Sequence, residues 1–195
     1  MTILSVDNLR SRINQKGGVA RSNRYLVELP SDNELLRNTG LAADELSLFC
    51  TSVNMPGKQI TSIDRRIGTT FTKVGYGYAS QDVQMSFLLT SYLNYKKYFE
   101  GWQQLAVDNQ SNDWHGPAYF NTYTKPVKIY QLGQDGEKNY GVQLISAYPT
   151  TVNPIQYNNE ADGLIELTIE MSYIRWQEVQ ILGLNPATPD TEGSF

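Results

Sequence analysis

The chain has 195 residues, 40% apolar and 18% charged, which is enough for one domain with a real core and leaves little room for a second. Sixteen basic against twenty acidic residues give a formal charge of −4, a balance that argues against a protein built to grip phosphates. A single cysteine, Cys50, and a single histidine, His115, exclude an intramolecular disulfide and a thiolate zinc site, and leave no second imidazole for triad or metal chemistry.

No N-terminal stretch has the basic-then-apolar character of a signal peptide, and no run approaches membrane-spanning length, so the expectation is a chain that folds in a cytoplasm. Residues 1–19 read as an arm. Val6, Leu9 and Ile13 share a helical face that Ser5 can cap and Gly17-Gly18 can end. A helix this short needs a surface to dock on, and a frayed terminus and an arm laid on a neighbouring subunit both fit the pattern.

Tyr25, Val27 and Leu29 form a first strand, closed by Pro30-Ser31. Residues 31–45 read as a loop with one helical turn. Leu46, Leu48 and Cys50 resume the alternation and lead to the turn Met55-Pro56-Gly57. Residues 58–74 read as a long hairpin with a polar tip, built from Asp64-Arg65-Arg66 and Gly68-Thr69-Thr70. Gly75-Tyr76-Gly77-Tyr78 is no phosphate loop, because no helix opens after it and no third glycine follows; it marks a bulge or a tight strand bend.

The stretch from Val83 to Val107 organises the rest. Val83, Met85, Phe87 and Leu89 alternate as a half-buried strand. Thr90 or Ser91 then supplies an N-cap hydroxyl, and Tyr92, Tyr95, Phe99, Trp102 and Ala106 recur on one helical face. That aromatic stripe reads as core, the side of the helix that packs on a sheet; Lys96, Lys97 and Glu100 lie on the polar side. Residues 108–125 are a loop rich in Asn, Asp, Ser and Gly. A hairpin follows, with Val127, Ile129 and Gln131 answered by Tyr140, Val142 and Leu144 across the Gly133–Gly136 turn. Ala147–Thr151 bends the chain. The last strand puts Ile165, Leu167, Ile169, Met171 and Tyr173 on one face and Glu166, Thr168, Glu170 and Ser172 on the other.

The fold class is therefore mainly β: an antiparallel barrel or sandwich of seven or eight strands with one packed α-helix. The expected divisions are an arm at 1–19, a β-barrel domain at 20–177 and an extended tail at 178–195. No nucleophile–base pair, metal spacing or phosphate loop is present in the sequence. Glu166 and Glu170 sit among solvent-like neighbours, which suits a wet surface better than acid–base work. The aromatic loop 114–123 lacks the Lys and Arg that would track a nucleic-acid backbone. His115 beside Gly116-Pro117 reads as a solvated side chain. The residues point to no enzyme, no cofactor and no metal.

In order along the chain stand Ala20-Arg21-Ser22-Asn23-Arg24-Tyr25 before Val27-Glu28-Leu29; Phe49-Cys50 before Met55-Pro56-Gly57; and Phe99-Glu100-Gly101-Trp102-Gln103. Lys128-Ile129-Tyr130-Gln131-Leu132, Ala147-Tyr148-Pro149-Thr150-Thr151-Val152 and Met171-Ser172-Tyr173-Ile174-Arg175-Trp176 follow. This order resembles the tail tube proteins of contractile-tailed, T-even-like bacteriophages, which are related to type VI secretion tube proteins. The resemblance covers about residues 20–177. The additional ends leave open a baseplate tube initiator as against the repeated tube subunit.

The resemblance implies a structural virion protein whose six-fold rings stack into a tube carrying DNA from capsid to host. It implies self, tail sheath and baseplate hub proteins as partners, with DNA passing unbound and no membrane contact. Glu166, Thr168 and Glu170 are then expected to face the lumen, where phosphate-gripping lysines would stall sliding DNA. The hairpin residues Asp64, Arg65, Arg66, Thr69 and Thr70 are expected to drive ring stacking together with the arm. A monomeric β module that binds carbohydrate or nucleic acid is the alternative from another class.

Overall fold

The computed structural model describes residues 6–15, 17–37, 39–108, 117–159 and 163–181. A run of antiparallel strands, ordered β1 (Tyr25–Glu28), β6 (Lys125–Leu132), β7 (Lys138–Val152), β8 (Glu166–Ser172), β5 (Val83–Leu88) and β2 (Cys50–Val53), wraps around one core. β9 (Arg175–Glu178) joins β7. β3 (Gln59–Ile67) and β4 (Thr70–Ala79) pair only with each other. The described residues thus hold nine strands, against the seven or eight expected.

β7 is the hinge of the architecture. Its first half lies between β6 and β9, and its second half pairs with β8. β8 and β9 run along the same edge of β7 as one strand interrupted at Tyr173-Ile174. At the crossover Ser146 takes φ +53°. The expected bend at Ala147–Thr151 is therefore a kink inside a continuous strand. It lets one strand serve two sheets, as bulged and strained residues do at sandwich corners.

The strand alternation is realised where one face is buried. Val83, Met85 and Phe87 of β5 are buried together with Leu167, Ile169 and Met171 of β8, their antiparallel partners. Val127 and Ile129 of β6 and Val142 and Leu144 of β7 complete the wall. Two short readings fail. Leu48 is 73% exposed, because 43–49 is a series of turns and the strand opens only at Cys50. Residues 120–123 form one helical turn, α4 (Phe120–Tyr123), inside the expected loop.

The helical turn expected within 31–45 is α2 (Asn33–Leu36), and the main helix, α3 (Asn94–Ala106), closes the barrel with Tyr95, Tyr98, Phe99 and Trp102, all fully buried. Tyr95 stacks on Phe87 at 5.2 Å between centroids, and Phe99 tilts against the same ring at 5.2 Å. The polar tips are satisfied: the Tyr98 hydroxyl donates to the Pro30 carbonyl at 2.6 Å, and Trp102 Nε1 donates to the Tyr123 carbonyl at 2.6 Å. Lys96 and Glu100 pair with each other on the outer side, and Lys97 is exposed.

Tyr92 does not belong to this face. It is 77% exposed and precedes the helix. Leu93, at φ +52°, ψ +38°, reverses the chain, closing a turn by donating its N–H to the Thr90 carbonyl at 2.9 Å. The start therefore lies later than a Thr90 or Ser91 cap predicts, and Tyr98 takes the fourth buried place. The short helix α1 (Val6–Gln15) forms as expected and ends in a glycine cap, with Gly17 at φ +82°, Gly18 at φ +87° and the Gly18 N–H on the Ile13 carbonyl at 2.9 Å. None of its side chains is buried.

Burial pushes the Tyr95 phenol up to about 12 and raises the Tyr98 phenol as well. On unfolding both return to the ordinary value of 10.0. Above pH 10 the folded chain holds protons that the unfolded chain gives up. The contribution of these two phenols to stability should be constant below about pH 10 and fall as pH rises from there toward 12. In a pH series of urea melts, Tyr95→Phe should make that fall shallower, whereas Tyr92→Phe, at an exposed phenol, should leave it unchanged.

Candidate assembly surfaces

The β3–β4 hairpin stands clear of the barrel. Every residue of β4 is exposed. The turn at its tip has Gly68 at φ +65° as its first central residue and Thr69 as its second, the arrangement a tight two-residue hairpin requires. Arg66 Nε donates back to the Gly68 carbonyl at 3.1 Å. Thr61 pairs with Gly77 and Ser62 with Gly75, so Tyr76 is the extra residue of a bulge. The Gly-Tyr-Gly-Tyr segment is thus a bulged strand, as expected, but it lies inside the hairpin, which runs to Ala79 rather than ending at 74.

The register sorts the hairpin into two faces. Ile60 pairs with Tyr78 and Arg66 with Phe71 on one; Ile63 pairs with Val74 on the other, while Tyr76 is left unpaired at the bulge. Ile60 is 70% exposed, Phe71 72%, Ile63 60% and Tyr76 71%. A two-stranded ribbon with apolar side chains uncovered on both faces is marginal alone in water. Asp64, Arg65, Arg66, Thr69 and Thr70 are all exposed near the tip.

The second surface is the outer face of β5 and β8. Gln84 pairs with Glu170, Ser86 with Thr168 and Leu88 with Glu166. The Ser86 and Thr168 hydroxyls are 3.2 Å apart, and Thr51 Oγ1 donates to the Ser86 carbonyl at 3.2 Å. Glu166 is exposed, and Thr168 and Glu170 are half-buried. Strands β2, β5 and β8 carry no Lys or Arg, so the face offers hydroxyls, an amide and carboxylates with no cation. The sequence groups Glu166, Thr168 and Glu170 on one face, and the structure does the same.

The third surface is the seam. β1 and β2 end the run of strands and do not pair with each other. The Tyr25 side chain reaches across the gap, its hydroxyl donating to the Cys50 carbonyl at 2.9 Å. Burial pushes the neighbouring Cys50 thiol up to about 11, so it is a packed, protonated side chain at neutral pH and no nucleophile. Among the described residues no group of three His, Cys, Asp or Glu side chains could hold a metal, and no helix is long and apolar enough to cross a membrane. His115 and Trp114 lie outside the described residues.

Residues 20–179 match the family model described as phage tail tube protein. The chain belongs to the phage tail tube protein family. Its fold has solved counterparts. A chain of the extracellular contractile injection system PVC, from its sheath-tube complex in the extended state, aligns with a TM-score of 0.56 and 12% identity, over 91% of this chain and 99% of that one. A chain from the anti-feeding prophage cap, the tube-terminating cap, gives 0.60 and 13%, over 84% and 92%. One from the six-fold symmetrised baseplate of the same prophage gives 0.56 and 12%, over 83% and 95%. No curated protein matches the chain by sequence.

As a member of the tail tube family the protein is structural, and its candidate sites are surfaces rather than a pocket. Sequence reasoning missed Tyr76 and Tyr78 as parts of the hairpin. The signal was present in the continuous run of strand-forming residues from Thr70 to Tyr78, but the two glycines broke the pattern. It also missed the seam, which depends on two strands far apart in sequence.

Proposed function

We propose that this tail tube family protein forms hexameric rings that stack into the inner tube of a contractile phage tail, a conduit for DNA at ejection. The observation that carries the proposal is the hairpin with two uncovered apolar faces, which calls for other copies to bury it. The open edges β1 and β2 support ring closure, since strand pairing with neighbours removes edges that a lone subunit exposes. The likeness to chains of a sheath-tube complex and of a baseplate supports self, sheath and baseplate hub proteins as partners, and a place in the virion tail after assembly in the host cytoplasm.

The cation-free face of Glu166, Thr168 and Glu170 is assigned to the lumen. It repels phosphates and releases no counterions to DNA, so the cargo slides. Glu166→Lys with Glu170→Lys places twelve new cations in each ring of six and should leave tails assembled but slow DNA release from the virion. Ejection is followed by dye entry into released DNA; unchanged kinetics, or a tube reconstruction with these carboxylates on the outside, contradicts the assignment.

The likeness to a baseplate chain favours a second reading, the ring that initiates the tube. Subunit copy number per virion separates the two: a single ring for an initiator, many for the tube.

A further inference from the structure

The segments that flank the barrel at its two ends both leave it at the β6–β7 hairpin. The N-terminal exit is fixed at the turn: a Cβ on Gly18 would collide with the Gln134 amide, and Arg24 Nη1 donates to the Gly133 and Gln134 carbonyls at 3.1 and 2.6 Å. The glycine cap of α1 therefore sets that helix beside the turn. The C-terminal exit is fixed on the same hairpin. The Val179 N–H donates to the Gly141 carbonyl at 2.9 Å, and Val179 Cβ lies 3.3 Å from where a Cβ on Gly141 would stand. Gly141 is the fourth residue of β7, so the two exits are roughly 10 Å apart along the strand.

Helix α1 brings an uncovered stripe to this place. Val6 and Leu9 are exposed and Ile13 is half-buried, all three on one helical face. Arg10, four residues after Val6, borders the stripe on one side, and Arg12, three after Leu9, borders it on the other. A ten-residue helix with no buried side chain is marginal by itself. At the other exit the sequence continues from Ile181 with Leu182, Leu184, Asp190 and Glu192, and no Lys or Arg follows Arg175. Residues 182–195 lie outside the described residues. Their composition complements the stripe, with leucines for its apolar face and carboxylates for its two arginines. Fourteen residues span at most roughly 46–50 Å, and α1 is about 15 Å long, so the reach is ample.

We infer that residues 182–195 fold back over α1 of their own chain. Leu182 and Leu184 cover the stripe of Val6, Leu9 and Ile13, and Asp190 and Glu192 pair with Arg10 and Arg12. Tethering selects the same chain over a second copy: a segment anchored so close to its target meets it at an effective concentration on the order of millimolar. The contact is a clasp between the two ends of the chain, and it does not depend on ring formation. It keeps the apolar stripe of the arm away from other copies while the subunit is free.

The test is hydrogen–deuterium exchange of the full chain, read by mass spectrometry. Leu182→Ser with Leu184→Ser should speed exchange in residues 6–15 about tenfold and leave α3 unchanged. Asp190→Lys with Glu192→Lys should speed it about threefold, and adding Arg10→Glu with Arg12→Glu should return it to the parental rate. To identify the chain that is clasped, Arg10→Lys protein is refolded as a mixture of natural and nitrogen-15-labelled chains and treated with a carbodiimide, which joins amines to carboxylates. Peptides that link position 10 to Asp190 or Glu192 should each carry a single isotope. Linked peptides of mixed isotope place the segment on a second copy, and exchange in α1 that is equal in the parent and the leucine variant leaves the stripe without this cover; either result overturns the clasp.

Discussion

Trp102→Ala should lower the stability of the folded subunit by about 3–5 kcal/mol, the range for deleting a buried indole. The side chain is fully buried in the row that α3 lays against the sheets, and its loss empties the space beside Tyr98, whose ring lies 6.1 Å away. It also strips the Tyr123 carbonyl of its donor, leaving a polar atom with no partner at the end of α4. Urea melts of the wild type and the variant measure the difference. Because α3 is the plug of the barrel, assembly should fail only where folding fails, and conditions that refold the variant should return it to rings. An unchanged melt would mean that the helix does not hold the two sheets together.

Excision of residues 63–74 gives the opposite pattern. Ser62 and Gly75 are cross-strand partners, so an Asn-Gly turn joins them without disturbing the hairpin root. Among the described residues no hairpin side chain belongs to the barrel core, and the melt should be unchanged. Stacking should be lost. Removing anchors such as Ile63 and Phe71 costs at least about 2 kcal/mol per contact if they are central to the interface, about thirty-fold in affinity for each copy and more for a ring. Long tubes from the excised protein by electron microscopy would contradict the role given to the hairpin. The two variants would separate a helix that acts through folding from a hairpin proposed to act through assembly.

What could be read in the sequence depended on whether an element has one wet and one dry face. The two faces of β8 were legible, because Leu167, Ile169 and Met171 face the core and Glu166, Thr168 and Glu170 do not. The hairpin was legible in kind but not in extent. Its apolar residues fall on both faces, so alternation carries no signal, and its upper end at Ala79 is set by pairing with Gln59. Tyr92 was misread because three-residue spacing continues across a turn as easily as along a helix. The positive φ of Leu93, which decides the matter, has no signature in a leucine. The length of β7 was hidden for a related reason: Ser146-Ala147 with Pro149 reads as punctuation, while the structure uses it as a kink in a strand that two sheets share. The seam at Tyr25 and Cys50 belongs to tertiary structure alone.

Membership of the tail tube family is a context in which this much sheet edge and uncovered apolar surface makes sense. The exposed hairpin, the open seam and the cation-free face are each awkward for a lone subunit, and the proposed ring would put each to use. Mass photometry with negative-stain microscopy of the purified full chain, across a concentration series at low salt, tests this most directly. The account predicts particles of six times the 22.0 kDa chain, seen end-on as six-fold rings with an open centre and stacking into tubes as concentration rises. A single species of one chain at every concentration would contradict it.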